Sequence, residues 1–561
     1  MKMYNEKINI PEELRIGVFI CDCGSNIAGH LNTKEVTEFA ATLPNVVFAR
    51  NNLYSCSESG IVEIKKAIQE EKLNRVVVAS CSPRTHQPLF RASCGEAGLN
   101  PYLFEMVNIR DQCSWVHMGM NELATEKAKE LVRMGVAKSV YLEPQQDIES
   151  DVTPRVLVVG GGVAGLSAAQ SLSTMGLEVI LVEKTDQLGG LEREYTKIAP
   201  EMMDAQAHIA DLVATVESLK NVTIYRNTEV TAMDGFIGNF VMTITPKKGD
   251  PVEEKIGCII LAIGAVPFVP EGQYGYDGRT VITQMELEQK LRTKTLDAKN
   301  IVMIQCVGAR TKEKEFCARI CCLTAVKNAK IIMEENPDKH VHILYRDMQM
   351  YGTQREKMLW DARGEGVRFD VYDPQKPPAV SNGKITFNHA VLGEDVSLDA
   401  DLVVLSTPLV PRPDALALAQ MMRVPVDANG FFLEAHAKLR PLDFASDGIF
   451  VCGSTRYPAG IIEARSQGMG VSARVASILF KDKLIIDALV AVVNPKTCAG
   501  CLGCLDVCPY NAITFNTEAR TCEINRVLCK GCGNCASTCP SQSVQLKGYK
   551  PEQLLSQIRA V

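Results

Sequence analysis

Between residues 15 and 140 the apolar positions repeat as a short continuous run followed by a longer stretch with helical spacing. The runs are RIGVFI, VVFARNN, RVVVAS and PYLFEMVNI, and the helical stretches lie at about 32–43, 58–72, 86–98 and 114–137. Short apolar runs of this kind suit strands buried on both faces, and strands alternating with helices predict an open parallel sheet. Residues 141–154, YLEPQQDIESDVTP, carry two prolines and no periodicity, so they read as a linker. A second unit opens with RVLVVGGGVAGLSAAQSL and is long enough for two intertwined Rossmann-like subdomains. The remainder is cysteine-rich and predicts a small α+β module. The expected class is α/β with a carboxyl-terminal α+β domain, divided at 1–140, 141–154, 155–485 and 486–561.

A chain of 561 residues fits three or four domains. Its 60 Lys and Arg against 66 Asp and Glu leave a formal charge of −6, without the basic excess of a nucleic-acid binder. The opening MKMYNEKINIPEELR has no apolar signal core, and the longest apolar stretches, such as LIIDALVAVV, fall short of the ~20 residues of a membrane span. The expected location is the cytoplasm. In a reducing compartment the 21 cysteines are metal ligands or redox groups before they are structural disulfides.

The clearest pattern is carboxyl-terminal. Cys498, Cys501, Cys504 and Cys508-Pro509 form one C-x-x-C-x-x-C-x-x-x-C-P run, and Cys529, Cys532, Cys535 and Cys539-Pro540 form another. Three closely spaced thiolates wrap one 4Fe-4S cluster while the fourth crosses to the neighbouring one. One cluster is therefore expected on Cys498, Cys501, Cys504 and Cys539, and a second on Cys529, Cys532, Cys535 and Cys508. Zinc ribbons are the competing reading, but they do not explain two complete runs with trailing prolines. Cys522 lies outside both runs and is expected to pack.

Strand RVLVV runs directly into Gly160, Gly162 and Gly165, and Glu183 ends the next strand about twenty residues on. This is the dinucleotide fingerprint in its proper context: the glycines let the backbone approach a pyrophosphate, and Glu183 can accept from ribose hydroxyls. Val163, Ala164, Lys184, Gly189 and Gly190 belong to the same candidate site. Two more segments, IILAIGAVPFVP with Ala262 and Gly264, and GIFVCGSTRYPAGIIEARSQG with Gly453 and Ser454, resemble flavin disulfide reductases and favour FAD over NAD. The usual Gly-Asp of the second segment is Gly453-Ser454 here.

In flavoproteins that use a pyridine nucleotide a second glycine-rich loop should follow the strand NIVMIQ. CVGAR and EFCARICC stand there instead, bringing Cys306, Cys317, Cys321 and Cys322 within seventeen residues. A nicotinamide cofactor would lack its phosphate cradle. The four thiols could hold a cluster near the flavin, form a redox or vicinal disulfide, or pack.

These strings, with CDCGSNIAG, YSCSESG, VVVASCSPRTHQPLF and NIRDQCSWVH of the amino-terminal part, resemble the A-type subunits of heterodisulfide reductases over nearly the whole length. The resemblance implies a thioredoxin-reductase-like FAD domain, a 4Fe-4S cluster on the four middle cysteines, and a Lys327 directed at the flavin ring. A solvated helix lysine is the plain alternative for Lys327. A second ferredoxin-like insertion found in longer members is missing before CVGAR. Cys23, Cys56, Cys81 and Cys113 each follow a predicted strand, so all four are expected at the carboxyl edge of one sheet, where such sheets bind ligands. They suit a noncontiguous 4Fe-4S site, with Cys21 and Cys94 as alternates, or else are core thiols.

The expected function is that of an FAD and iron–sulfur electron-transfer protein, passing and bifurcating or confurcating electrons inside a larger hetero-oligomer. Its expected partners are the other components of a heterodisulfide reductase ABC-type complex, ferredoxin, and an electron-input protein of hydrogenase, formate dehydrogenase or NADH-oxidising type. The alternatives are a standalone NAD(P)H-dependent disulfide or ferredoxin reductase, and a scaffold without catalysis.

Overall fold

A computed structural model of the chain describes Ile8 and residues 10–561, so most of the opening segment read for a signal core lies outside the described residues. The chain divides into two compact units, one of residues up to 149 together with 485–561 and one of 150–484.

The first unit begins with β1 (Ile16–Cys21), α1 (Thr33–Ala41), β2 (Val46–Asn52), α2 (Glu58–Glu70), β3 (Arg75–Ser80), α3 (Pro83–Glu96), β4 (Phe104–Asn108) and α4 (Asn121–Ser139). The strands form a parallel sheet in the order β2-β1-β3-β4. Every residue of the central β1 and β3 is buried. Alternate strand residues serve opposite layers: Val18, Ile20, Val77 and Ala79 pack with Ala124, Ala128, Val132 and Val136, spaced four apart on α4. Phe19, Val76 and Val78 meet Ile61, Ile64 and Ile68 of α2 on the other face. The fourth helix starts at Asn121 rather than near 114. A five-residue π turn, Arg110–Ser114, and an irregular stretch with Gly119 at φ 78° intervene, a conformation that breaks a helix.

The carboxyl-terminal module pairs Ala491–Val493 with Val544–Leu546 and Ile513–Asn516 with Thr521–Ile524, both antiparallel. Read from sequence as a separate domain, it shares one unit with the amino-terminal sheet. Gln553 Nε2 donates to the Tyr141 carbonyl at 2.9 Å, Lys550 pairs with Glu143 at 2.7 Å, and Ala488 N donates to Tyr102 Oη at 2.9 Å. The stretch after 140 is thus partly a docking strip, and it ends in a short strand, β5 (Ile148–Asp151).

The second unit opens with β6 (Arg155–Val159), α5 (Val163–Thr174) and β7 (Glu178–Val182). Its first sheet, entirely parallel, runs Val222–Tyr225, β7, β6, Cys258–Leu261, Ile449–Val451. The second, also parallel, runs Val281–Thr283, Leu402–Leu405, Asn300–Ile304, His340–Tyr345, Arg368–Val371. These are the two expected Rossmann-like subdomains. Among the described residues no helix is long and apolar enough to cross a membrane.

Candidate functional site

The candidate dinucleotide site grows from the turn between β6 and α5. Gly160 has φ 109°, and a Cβ there would stand 2.4 Å from the Ala262 carbonyl oxygen; one on Gly165 would stand 1.9 Å from that of Gly160. Only glycine lets this turn close, which leaves the helix amino end open to a phosphate group. At the end of β7, Glu183 Oε2 accepts from Gly161 N at 2.7 Å and Oε1 from Thr185 N at 2.9 Å. The carboxylate is thereby fixed with lone pairs to spare. Two adjoining cavities of about 300 and 340 Å³ share Gly160, Glu183, Ile263 and Arg412, a volume that suits an extended dinucleotide.

Val163, Ala164, Gly162, Gly189, Gly190, Ala262, Gly264 and Ser454 line one cavity, and Lys184 the other. Gly165 lies beneath the turn. Lys184 is engaged by Asp414 at 2.9 Å and Glu229 at 3.1 Å. Gly453 N donates to Gln467 Oε1 at 2.9 Å, and Ser454 Oγ accepts from Ala459 N at 3.2 Å. The serine at the departed Asp position therefore braces the turn into helix Ile461–Leu479, whose amino end borders the first cavity.

Lys327 lines that cavity from helix Cys321–Glu335, and it is buried rather than solvated. Its ammonium forms an ion pair with Glu288 and stands 5.6 Å from the centre of the Tyr195 ring. Burial pulls the Lys327 pKa down against the opposing pull of Glu288. Glu288 also accepts from Thr196 N at 2.9 Å.

The four middle cysteines come together. Cys306, pushed up to about 11 by burial, is also raised by Cys322 and Cys317, and Cys321 feels Cys322, Cys306 and Cys317. Strained backbone delivers them: Cys306, Arg310 and Arg319 all have φ near +60°. Cys321 and Cys322 open the helix that carries Lys327. The Gln305 side chain is buried here with neither polar atom partnered, which suits a neighbour that brings its own polar or anionic atoms. Arg319, Ile320, Leu323 and Thr324, interleaved with these cysteines, line the first cavity.

The carboxyl-terminal runs interlock across each other. Cys508, Cys529, Cys532 and Cys535 line one small cavity. Cys504 feels Cys539 and Cys498, while Cys535 feels Cys529, Cys508 and Cys532. Main-chain N–H groups of Ala491 and Ala512 donate to Cys529 and Cys508 Sγ, each at 3.4 Å, the donor pattern suited to cluster thiolates. Cys522 is buried against Cys504 and Cys498. Among the described residues no three His, Cys, Asp or Glu side chains converge on a single-ion position. A cubane has no such requirement, since each thiolate caps a different iron.

At the amino-terminal sheet, Cys23, Cys56 and Cys81 face one another around Arg110, whose Nη1 stands 3.9 Å from Cys23 Sγ. Cys21 ends β1 and Cys81 follows β3, the two sides of the point where strand order reverses. Ser55 and Ser80 Oγ are buried there without partners. The expected fourth thiol, Cys113, does not join: the π turn directs it into the α4 layer, where Sγ donates to the Ala124 carbonyl at 3.1 Å. Cys21 adjoins Cys23 and accepts from Ser55 N at 3.3 Å, and Cys94 is buried in the α2 layer. His117 bonds the Cys113 carbonyl, and the cation that reaches these thiols is Arg110. It stands in the quoted NIRDQC string, but only the fold aims it.

A dinucleotide cradle joined to two interlocked cysteine runs defines an iron–sulfur flavoprotein oxidoreductase. Residues 154–468 match the model of the pyridine nucleotide-disulphide oxidoreductases, and residues 497–543 that of the 4Fe-4S dicluster domains, which imply FAD and 4Fe-4S clusters. The chain is 37% identical to the second A-type iron-sulfur subunit of the CoB–CoM heterodisulfide reductase of Methanopyrus kandleri, over 90% of this chain and 91% of that one. It is 34% identical to the A-type subunit of the H(2):CoB-CoM heterodisulfide,ferredoxin reductase of Methanothermobacter marburgensis, over 100% and 99%. With the corresponding iron-sulfur subunit of Methanocaldococcus jannaschii the identity is 35% over 98% of each. The chain belongs to the family of A-type heterodisulfide reductase subunits.

Proposed function

We propose that this protein is the electron-transfer subunit of a heterodisulfide-reductase-type complex, in which electron pairs from a two-electron donor are divided into, or assembled from, single electrons on clusters. The observation that carries this reading is the segment from Cys317 to Lys327. Its cysteines face the middle thiol site while Arg319, Ile320, Leu323, Thr324 and Lys327 line the flavin cavity. A single stretch of chain thus separates a pair-accepting site from a one-electron site, and electron hops favour such short separations.

The strand Asn300–Ile304 runs on into Gln305 and Cys306 and not into a glycine-rich phosphate loop, so the phosphates of a nicotinamide find no cradle there. This favours reduction by a protein partner over the standalone reductase. FAD, when bound, supplies the exchange between paired and single electrons. Around it the chain supplies charge: the amino end of helix Ile461–Leu479 favours negative charge on the ring, the Arg319 guanidinium is shared with Glu463 of that helix at 3.2 Å, and Lys327 is held by Glu288. Four clusters are proposed. Two belong to the carboxyl-terminal runs, one to Cys306, Cys317, Cys321 and Cys322, and one to Cys23, Cys56, Cys81 and a fourth ligand, Cys21 or a rotated Cys113. The partners proposed are B- and C-type subunits, ferredoxin and an electron-input protein, in the cytoplasm.

The test is iron, sulfide and flavin content of anaerobically purified protein, followed by titration with NADH and then with reduced ferredoxin. About sixteen irons per FAD, inert to NADH and reduced by ferredoxin, is the expected result. About eight irons with bleaching by NADH alone would replace this reading with that of the standalone reductase.

A further inference from the structure

Glu192, His208 and Arg465 form a connected chain beside the flavin cavity that the proposed electron path leaves unused. Glu192 lies on the turn Gly190–Glu194, lines the cavity, and has a fully buried carboxylate. Its Oε1 meets His208 Nδ1 at 2.5 Å, and its Oε2 is buried with no partner. His208, in the first turn of helix Ala205–Ser218, keeps 19% of its side chain exposed. Its Nε2 stands 3.3 Å from Nη1 of Arg465, an exposed residue of helix Ile461–Leu479.

The tautomer follows from this geometry. A guanidinium only donates, so Nε2 accepts, and the neutral ring carries its proton on Nδ1, directed at Glu192. Burial pushes the Glu192 pKa up, against the opposing pull of His208 and Arg465, so this carboxylate takes a proton more readily than an exposed one. Of the other ionic pairs at the cavity wall, Lys327 with Glu288 has almost no exposed surface through which to exchange protons with water, and Glu463 is engaged by Arg319 at 3.2 Å and by Tyr457 Oη at 3.0 Å.

We propose that Glu192 and His208 are the proton path into the flavin cavity, with Arg465 as its gate. The proposal rests on the reading that FAD occupies that cavity. Two-electron reduction of an oxidised flavin takes two electrons, here from a reduced one-electron donor of the ferredoxin or dithionite class, and at least one proton. Arg465 moves off Nε2, water delivers a proton to Nε2, the Nδ1 proton passes to Glu192, and the Glu192 carboxylate, closed off from the cavity in this structure, turns into it and gives the proton to the reduced ring. The imidazole is left protonated on Nε2 alone; it gives that proton back to water and, with the ring turned so that Nδ1 meets water, takes one up there before returning to Glu192. One proton leaves bulk water for the flavin, while Glu192 ends ionised and His208 neutral, as they began.

The experiment is stopped-flow reduction of the FAD-loaded protein by dithionite, in H2O and D2O, for wild type, H208Q, E192Q and R465Q. Flavin content, flavin midpoint potential and redox-difference infrared spectra are measured on the same samples. The expected result is flavin reduction slowed on the order of a hundredfold in H208Q and E192Q, with FAD content and potential kept. Added imidazole restores H208Q, R465Q reacts faster than wild type, and a protonated-carboxyl band is lost in E192Q. Wild-type rates and isotope effects in both H208Q and E192Q, with FAD bound, would overturn the relay alone. A wild-type protein that binds no FAD would overturn the reading beneath it.

Discussion

Lys327 and Glu288 form an ion pair whose side chains are 3% and 0% exposed, with Lys327 in the wall of the cavity beside the glycine turn. Such a pair is held by mutual need: each charge is costly to bury, and removing one strands the other.

The first prediction follows from that need. K327M leaves Glu288 buried and uncompensated and should cost about 3–5 kcal/mol of stability, read as a shift of the denaturant midpoint. The double variant K327M/E288M should recover most of the loss, because no lone charge remains. Equal losses in the single and double variants would mean that the pair is not coupled. In K327M that still binds FAD, removal of the cation should also lower the flavin midpoint potential.

For the middle thiols, C306S or C322S should remove about four irons while leaving FAD bound, because the glycine turn, Glu183 and the helix at Ile461 do not depend on them. Chemical analysis and the loss of one electron paramagnetic resonance signal on reduction would report this. Unchanged iron with an intact signal set would mean that these thiols pack or form a disulfide.

At the amino-terminal sheet, C56S and C81S should each lose about four irons, and C113A should keep them. Cys113 is fully buried and tied to the Ala124 carbonyl, so it contributes to the α4 layer in this structure. Its loss should appear as destabilisation without iron loss. If C113A releases the four irons, the π turn must unwind when the cluster binds, and Cys113 is the fourth ligand. If C21A releases them, that place belongs to Cys21.

What could be read from the sequence was what is local. The carboxyl-terminal runs and the glycine turn with Glu183 are fixed by spacing over a few tens of residues, and the parallel sheets follow from uninterrupted apolar runs. Convergence of Cys306 with Cys317, Cys321 and Cys322 was legible only as one of several possibilities, since the turn between them rests on left-handed backbone at non-glycine residues. Three features were not legible at all. Glu288, the partner of Lys327, lies 39 residues away on another helix. The direction of Cys113 depends on a π turn, whose extra residue rotates a side chain by far more than strand and helix periodicity foresee. The union of the amino- and carboxyl-terminal modules depends on polar contacts such as Lys550 with Glu143, across 407 residues.

The last prediction concerns Glu105 of β4, which pairs with Lys138 of α4 at 2.9 Å. Burial raises its pKa above the ordinary 4.5, although Lys138 opposes the shift. A raised carboxyl pKa means that above pH 4.5 the folded protein holds a proton that the unfolded chain has already released. Stability therefore falls as pH rises from 4.5 through the folded-state pKa, and is flat beyond it. E105Q cannot titrate, so the stability of wild type minus that of E105Q should decrease across this window. Denaturant unfolding of both proteins at several pH values from 4.5 upward measures that difference. A difference that grows with pH would show that Lys138 outweighs burial and holds the folded-state pKa below the ordinary value.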